Sequence, residues 1–169
     1  MEEGIRRSGT HIEQKRLLIT LQKEDCRIYA DSQMAKQVFI NYLTNAIDHT
    51  PEGKSIRIWW EQRDGKVILS VYNEGSTIEE SDLSKIWTAF YKVDRSRKRT
   101  FGGTGIGLTI VNAIAQAHKT ECGAQNEENG IIFYFVFDEA KIEADQSAAV
   151  VLEGSDEPNE TDEEIMEEN

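Results

Sequence analysis

Proline, cysteine and long apolar runs are all scarce in this sequence. Its 169 residues include 2 prolines and 2 cysteines, and Cys26 and Cys122 have neither metal-ligand nor catalytic spacing. We therefore expect two small buried hydrophobic residues in a reducing compartment rather than a disulfide. No apolar run is long enough to span a bilayer, and residues 1–7 lack the apolar core of a signal peptide. The expected location is cytoplasmic, with no direct membrane contact.

Basic residues are also outnumbered by acidic ones, and the excess of acidic residues is concentrated in one part of the chain. The formal net charge is −12, and residues 141–169 alone hold 11 acidic residues against one lysine. The first 140 residues are close to neutral, with 20 acidic and 18 basic residues. A near-neutral body does not suggest a nucleic-acid-binding surface. The acidic stretch shows no periodicity, so we expect a disordered tail that is dispensable for folding and for ligand binding.

Hydrophobic periodicity divides the rest of the chain into strands and helices. Residues 1–16 show no clear period and are interpreted as an N-terminal linker segment, and the predicted domain covers residues 17–140. The expected elements are strands at 17–21 and 27–30, a helix from Asp31 or Ser32 to about Asp48, a hairpin at 55–63 and 66–72, a short helix at 79–88, an amphipathic helix at 104–118, and a hairpin at 121–125 and 131–137.

Hairpins mixed with helices predict the fold class. Two hairpins require antiparallel pairing, and helices with one apolar face must cover one side of the resulting sheet. We expect an α+β fold, a two-layer α/β sandwich with a mixed, mostly antiparallel sheet covered by helices on one face.

A polar stripe follows the first long helix. Its members fall within about 120° of the helix circumference and lie opposite the apolar face. Asparagine carboxamides one turn apart offer uncharged oxygen ligands, which suit a Mg²⁺ ion already neutralised by phosphate. A solvated helix face is the common alternative for such spacing. The stripe comprises Gln37, Asn41, Asn45, Asp48 and His49.

Glycine-rich segments follow a strand and precede the last helix. Asn73-Glu74-Gly75, with Ile78 beyond it, ends a predicted strand and can present one polar group at a pocket floor, although an ordinary turn has the same composition. Residues 102–108, Gly-Gly-Thr-Gly-Ile-Gly-Leu, open a helix whose N-terminus favours phosphate. No strand directly precedes these glycines and no Gly-Lys-Ser/Thr follows, which excludes the Rossmann and P-loop readings.

Between these segments lies an aperiodic basic stretch, residues 91–101. Phe90 and Tyr91 are followed by five cations that could close over a triphosphate as a mobile lid, although a solvated basic loop is the plainer alternative. The five are Lys92, Arg95, Arg97, Lys98 and Arg99.

Taken in order, these motifs resemble one family. Asn41-x-x-x-Asn45-Ala46 resembles the N box of bacterial sensor histidine kinases, and Asn73-x-Gly75 their first glycine box. Phe90-Tyr91 is similar to the F box, and Gly103-Thr104-Gly105-Ile106-Gly107-Leu108 to the second glycine box. The resemblance covers residues 17–138 and implies the Bergerat-type ATP-binding fold shared with gyrase, the ninety-kilodalton chaperones and mismatch-repair ATPases.

The resemblance implies ATP and Mg²⁺ as ligands and assigns roles. Asn41, Asn45, Arg97 and Arg99 would serve phosphoryl transfer, with Asn45 as the Mg²⁺ ligand. The nucleotide would also contact residues along all four motifs. These are Asn41, Asn45, Asp48, His49, Asn73, Gly75, Ile78, Phe90, Tyr91, Lys92, Gly103, Thr104, Gly105, Ile106, Gly107 and Leu108.

The sequence departs from the family pattern at several positions. Asn73 stands where an aspartate usually accepts a bond from the adenine amino group, and Thr77 replaces a glycine. Lys119 follows the last helix where glycine is common, at a cost of about 1 kcal/mol if its backbone is left-handed. His11-Ile12-Glu13 lacks both the acid next to the histidine and the apolar helical pattern of a phosphoacceptor site.

The expected partner is therefore a separate histidine-containing dimerisation domain, of the parent or a cognate kinase, with a response regulator acting downstream and the isolated domain monomeric. Two alternatives remain open: a serine kinase of the anti-sigma type, and a nucleotide-binding interaction module without transfer activity. A serine kinase is distinguished from a histidine kinase by whether the phosphorylated product is labile in acid or in base.

Overall fold

The computed structural model describes residues 2–22, 26–91, 105–140 and 149–151. Helices and strands alternate along this part of the chain. Their bounds are α1 Glu2–Arg7, α2 Gly9–Gln14, β1 Leu18–Leu21, β2 Arg27–Tyr29, α3 Ser32–His49, β3 Ser55–Arg63, β4 Lys66–Glu74, α4 Glu80–Leu83, α5 Gly107–Ala117, β5 Cys122–Glu127, β6 Gly130–Glu139 and β7 Ala149–Val151.

The seven strands form one sheet in the order β1-β3-β4-β6-β2-β7, and β5 also pairs with β6. Only β1 and β3 are parallel among these pairs. Strand β6 is long enough to hold two neighbours on one side, because β5 pairs with its first half and β2 with its end. The predicted mixed, mostly antiparallel sheet is confirmed.

The turn between β3 and β4 shows how local sequence sets register. Asp64 and Gly65 have φ values of 52° and 72°, the double left-handed conformation of a two-residue hairpin turn whose twist matches the strands. Arg63 consequently pairs with Lys66, and the register continues to Ile56 opposite Asn73.

The helical layer is held to the sheet by one apolar face of α3. Asp31 caps the start of this helix, because its carboxylate accepts bonds of 2.9 Å from the backbone N–H groups of Gln33 and Met34. The Tyr42 ring lies 5.8 Å from that of Phe133, and its hydroxyl donates to the Tyr134 carbonyl at 2.7 Å. The buried residues of α3 are those of the predicted apolar pattern except Met34: Val38, Phe39, Tyr42, Leu43, Ala46 and Ile47.

The segment before residue 17 is more ordered than its sequence indicates. Two helices, α1 and α2, occupy it, whereas we predicted no periodic structure. Ile5 and Ile12 pack against the core, and a Cβ atom at Gly4 would lie 3.2 Å from the Phe39 ring. Two isoleucines seven residues apart suffice to orient these helices, but they are too few to register as a period.

The structure also differs from prediction beyond residue 140. Strand β7 pairs antiparallel with β2, with Ala149 opposite Tyr29, inside a stretch that we expected to be disordered throughout. Backbone hydrogen bonds along a free strand edge need no hydrophobic pattern, so the sequence carries no signal for this pairing. The predicted short helix at 79–88 is also shorter, since α4 ends at Leu83 and turns follow. None of the helices among the described residues is long and apolar enough to cross a membrane.

Candidate functional site

The polar stripe of α3 is present as predicted, with its middle members half-buried. Gln37 donates from Nε2 to Asn41 Oδ1 at 3.1 Å, while the buried Nδ2 atom of Asn41 has no hydrogen-bond partner in the described part of the chain. Asn45 is half-buried one turn further along the helix. The stripe is therefore not a plainly solvated helix face.

The start of α5 lies against this stripe. A Cβ atom at Gly107 would be 3.6 Å from Asn41 Oδ1, so glycine brings the first turn of α5 close to the Asn41 carboxamide. Ile106 precedes this turn without a side-chain cap, and the buried Thr109 hydroxyl has no partner among the described residues. Uncapped N–H groups at a helix N-terminus attract anions.

Asn73 is a fully enclosed polar side chain at the end of β4. It is 0% exposed, and neither Oδ1 nor Nδ2 has a hydrogen-bond partner within the described residues. Its neighbours across the strands are Ile56 on β3 and Ile131 on β6, both buried. A buried amide without partners costs about 1–3 kcal/mol for each unpaired group, so a ligand that supplies both bonds is the simplest explanation for retaining it.

The residues after Asn73 are fixed by bonds that leave its amide untouched. The Glu74 carboxylate accepts from Lys54 Nζ at 2.8 Å, and from Ser55 through the hydroxyl at 2.8 Å and the backbone N–H at 3.1 Å. These bonds, led by Lys54, lower the pKa of Glu74 to about 2. Gly75 then turns the chain with φ 79° and donates to the Asn129 carbonyl at 2.6 Å.

The end of α3 meets this turn. A Cβ atom at Gly75 would lie 3.1 Å from Pro51 Cγ, so a side chain there would collide with the segment that leaves α3. Thr50, just before that proline, is 0% exposed and its hydroxyl has no partner among the described residues. Sequence analysis missed Thr50, because a Thr-Pro pair after a helix is an ordinary stop signal.

Ile78 is held differently from the other predicted contacts. Asn126 on β5 accepts from the Ile78 N–H at 3.0 Å and donates to its carbonyl at 2.6 Å. This paired amide anchors the segment after the Gly75 turn to the sheet. Ile78, Tyr91 and Leu108 all pack against the buried hydrophobic core, so they would form apolar walls of the candidate site.

Asp48 and His49 end the stripe next to the N-terminal segment. Lys15 donates from Nζ to the carbonyls of Ile47 at 2.5 Å and Asp48 at 3.1 Å, which satisfies the last turn of α3. Burial raises the pKa of the Asp48 carboxyl, and the charges of His49, Lys15 and His11 only partly oppose this shift. Burial also lowers the pKa of Lys15. Asp48 is thus tied to the preceding segment as well as to the stripe.

Phe90 and Gly105 are brought together although 14 residues separate them in the sequence. The Phe90 N–H donates to the Gly105 carbonyl at 3.2 Å, and both residues have left-handed backbones, with φ 63° and 72°. The Phe90 ring is 76% exposed. Two described residues on either side of the predicted lid therefore meet at the start of α5.

Part of the predicted site lies outside the described residues. This holds for most of the proposed lid and for the first part of the second glycine motif. The predictions concerned are Lys92, Arg97, Arg99, Gly103 and Thr104, and they remain predictions.

A depression of about 400 Å³ beside the Gly75 turn is lined by Lys54, Glu74, Gly75, Thr77 and Asn129. Its two charged groups are already paired with each other at 2.8 Å. It shares only Gly75 with the predicted contacts. The buried amides without partners do not line this depression, so we assign the functional site to those amides.

Three elements thus converge with complementary chemistry. The end of β4 offers a buried donor and acceptor in an apolar setting, the stripe of α3 offers neutral amides, and α5 offers a helix N-terminus without a side-chain cap among the described residues. The first suits a heteroaromatic base, and the other two suit phosphate with a Mg²⁺ ion. The residues present fit a magnesium nucleotide.

Comparison with known proteins identifies the family. The model of the family described as histidine kinase-, DNA gyrase B-, and HSP90-like ATPase matches residues 30–141. The sensor protein VanSB of Enterococcus faecalis is 34% identical over 107 residues, which is 63% of this chain and 24% of that protein.

Solved structures give the same result. The catalytic domain of histidine kinase ThkA superposes with a TM-score of 0.71 at 32% identity, covering 82% of this chain and 89% of that one. ThkA in complex with the response regulator protein TrrA superposes with a TM-score of 0.66 at 30% identity, covering 82% of this chain and 39% of that one.

The chain spans about a quarter of the curated relative's length and most of the isolated catalytic domain of ThkA. The family match includes α3, the end of β4 and the start of α5, which are the three elements that build the site. This chain belongs to the histidine kinase-, DNA gyrase B- and HSP90-like ATPases, and within them to the ATP-binding catalytic domains of sensor histidine kinases.

Proposed function

We propose that this domain transfers the γ-phosphate of ATP to a histidine on a separate dimerisation domain. The observation that carries the proposal is the Asn73 amide at the end of β4, which is fully buried and has neither polar atom paired among the described residues. A buried amide in that state calls for a polar ligand, and membership of the ATPase family identifies a nucleotide.

Different residues of the chain would bind different parts of the nucleotide. Asn73 would bind the base, and Ile78 and Leu108 would pack along its faces. The N-terminus of α5 at Gly107 and the half-buried amide of Asn41 would receive the phosphates. Asn45 would be the protein ligand of Mg²⁺, which when bound neutralises phosphate charge.

Transfer itself is mainly a matter of position. Phosphoryl transfer needs the terminal phosphate in line with the attacking atom and its charge compensated, and little covalent chemistry comes from the protein. Arg97 and Arg99 would supply part of that compensation. The attacking imidazole would belong to the dimerisation domain, so this polypeptide alone should bind ATP and turn it over slowly.

A response regulator would be the next partner in the sequence of transfers. Support comes from ThkA, which has been solved in complex with the response regulator protein TrrA. We propose that contact with a regulator is indirect, through the phosphorylated histidine.

The test is transfer in trans. The domain is incubated with γ-labelled ATP, Mg²⁺ and separately produced dimerisation domains, each compared with a variant whose histidine is replaced by alanine. We expect a product that is labile in acid and stable in base, and no product with the alanine variant. Asn45→Ala should lower the yield strongly.

Other results select other functions. An acid-stable product would indicate a serine kinase. ATP binding without transfer to any tested domain would indicate a nucleotide-dependent interaction module. Absence of ATP binding would overturn the site assignment itself.

A further inference from the structure

The Asn73 side chain carries one donor group and one acceptor, and the structure leaves both without partners. The residue is 0% exposed, between the buried Ile56 and Ile131 on the flanking strands. Neither of those neighbours can hydrogen-bond through its side chain. Whatever binds at the floor of the site must therefore supply both an acceptor for Nδ2 and a donor for Oδ1.

Nothing among its sequence neighbours competes for that amide. The adjacent Glu74 is occupied by Lys54 and Ser55, and the next residue, Gly75, is held by the Asn129 carbonyl at 2.6 Å. The backbone at this point is fixed from both sides. The Asn73 carboxamide can turn about its last torsion without breaking a hydrogen bond in the described part of the chain.

Purine bases differ in the order of the groups on their six-membered edge. Adenine presents an amino donor at position 6 beside an acceptor nitrogen at position 1. A 6-oxopurine presents the reverse, an acceptor oxygen beside an N–H donor. A carboxamide matches either order, because a half turn about its final torsion exchanges oxygen and nitrogen. An ionised carboxylate only accepts, so on either edge it pairs with the one donor, opposes the one acceptor and cannot satisfy both groups.

We propose that Asn73 makes this nucleotide site accept 6-oxopurine nucleotides as well as ATP. The inference rests on the proposed function, because it assumes that Asn73 meets the base of a bound nucleotide. It goes further by assigning base selectivity to one side chain. Inosine triphosphate is the sharpest probe, since it differs from ATP only at the 6-position and the neighbouring N–H.

The test compares equilibrium dissociation constants of ATP and inosine triphosphate, measured by calorimetry with Mg²⁺ present. The unmodified protein should bind the two within about threefold of each other, because both satisfy the same amide. Asn73→Asp should bind both nucleotides at least about tenfold less tightly than the unmodified protein does, because a carboxylate leaves one group of either edge opposed. Guanosine triphosphate, measured alongside, reports whether the pocket has room for a 2-amino group.

The control is Asn129→Asp, which makes the same chemical change at an exposed side chain beside the same turn. It should leave both dissociation constants unchanged. Thermal melts of all three proteins exclude misfolding, and the measurement on the unmodified protein stands without any variant.

Three results would overturn the inference. The first is an unmodified protein that already rejects inosine triphosphate more than about thirtyfold. The second is an Asn73→Asp variant that binds both nucleotides as tightly as the unmodified protein does. The third is failure to bind any nucleotide, which also overturns the proposed function; in the first two, ATP binding persists and the proposed function survives.

Discussion

The face of the sheet that packs against the helices has two ends. Side chains alternate along the strands in the same way at both, but one end is apolar and the other contains a polar residue. Residues on β3, β4 and β6 alternate, so each row across the strands places three side chains under the helices. At one end the row is Trp60, Leu69 and Phe135, all buried; at the other it is Ile56, Asn73 and Ile131.

The apolar end is held together by ring contacts. Phe135 and Phe137 have ring centroids 4.5 Å apart, and Trp60 and Phe137 6.3 Å apart. Its one unpaired buried atom among the described side chains is the Trp60 indole nitrogen, whereas Asn73 leaves both an oxygen and a nitrogen unpaired. The apolar end thus stabilises the fold, and the polar end gives up stability to be ready for a ligand.

Removing the aromatic ring at the apolar end should produce the largest change. Phe135→Ala empties a fully buried site, and we expect the free energy of unfolding to fall by about 3–5 kcal/mol. Denaturant titration measures this loss. The fraction that stays folded should bind ATP with nearly unchanged affinity, because the cavity lies away from the nucleotide face. A loss of ATP affinity as large as that of stability would erase the distinction between the two ends.

Making the polar end apolar should have opposite effects on stability and binding. Asn73→Leu removes the unpaired amide and fills its place, so ATP affinity should fall at least tenfold while the free energy of unfolding rises by about 1–3 kcal/mol. Calorimetry and thermal denaturation measure the two quantities. Unchanged ATP affinity would refute the placement of the base at Asn73.

A substitution in the polar stripe of α3 should weaken nucleotide binding only when Mg²⁺ is present. Asn45→Ala should weaken binding of magnesium ATP at least about tenfold and leave binding of metal-free ATP within about twofold, because only the ion would lose a ligand. Thr44→Ala, at an exposed neighbouring position on α3, is the matched control. Equal losses with and without Mg²⁺ would reassign Asn45 to the nucleotide itself.

Away from both ends, the exit of α5 offers a smaller test. Lys119 has φ 53°, the left-handed conformation in which its Cβ is unfavourable. Lys119→Gly should therefore stabilise the fold by about 0.5–1 kcal/mol. Lys119→Ala keeps the Cβ and should show no comparable gain. Equal melting temperatures for the two variants would mean that the removed charge, rather than the backbone, decides the effect.

The smallest effect is expected at the sheet edge. Ending the chain at Ala140 removes β7, a strand of three residues. Ordering these residues costs about 1–2 kcal/mol each, while a hydrogen bond returns about 0.5–1.5 kcal/mol, so the two nearly cancel. Melting temperature and ATP affinity should both change little. A truncated protein that unfolds would place the domain boundary beyond β7.

Particular residues show how much of the fold could be predicted from the sequence. The hairpin of β3 and β4, the start of α3 at Asp31 or Ser32 and the apolar face of that helix were all predicted and are confirmed, because each depends on neighbours within a few positions. The left-handed Lys119 was anticipated for the same reason. α1, α2 and β7 were not predicted, since they depend on two isoleucines or on a free edge of β2 rather than on a period.

The site divides along the same line. The order of the motifs, through its resemblance to one family, predicted the family, and the ATPase family match confirms it; the roles of Asn41, Asn73 and Gly75 remain predictions. Only the tertiary structure decided that the Asn73 amide is sealed between Ile56 and Ile131 with both atoms unpaired, and that Thr50 is buried nearby in the segment contacting Gly75. The reason is physical: propensity and spacing act between residues close in the chain, whereas burial of a polar atom depends on which distant strands and helices close over it.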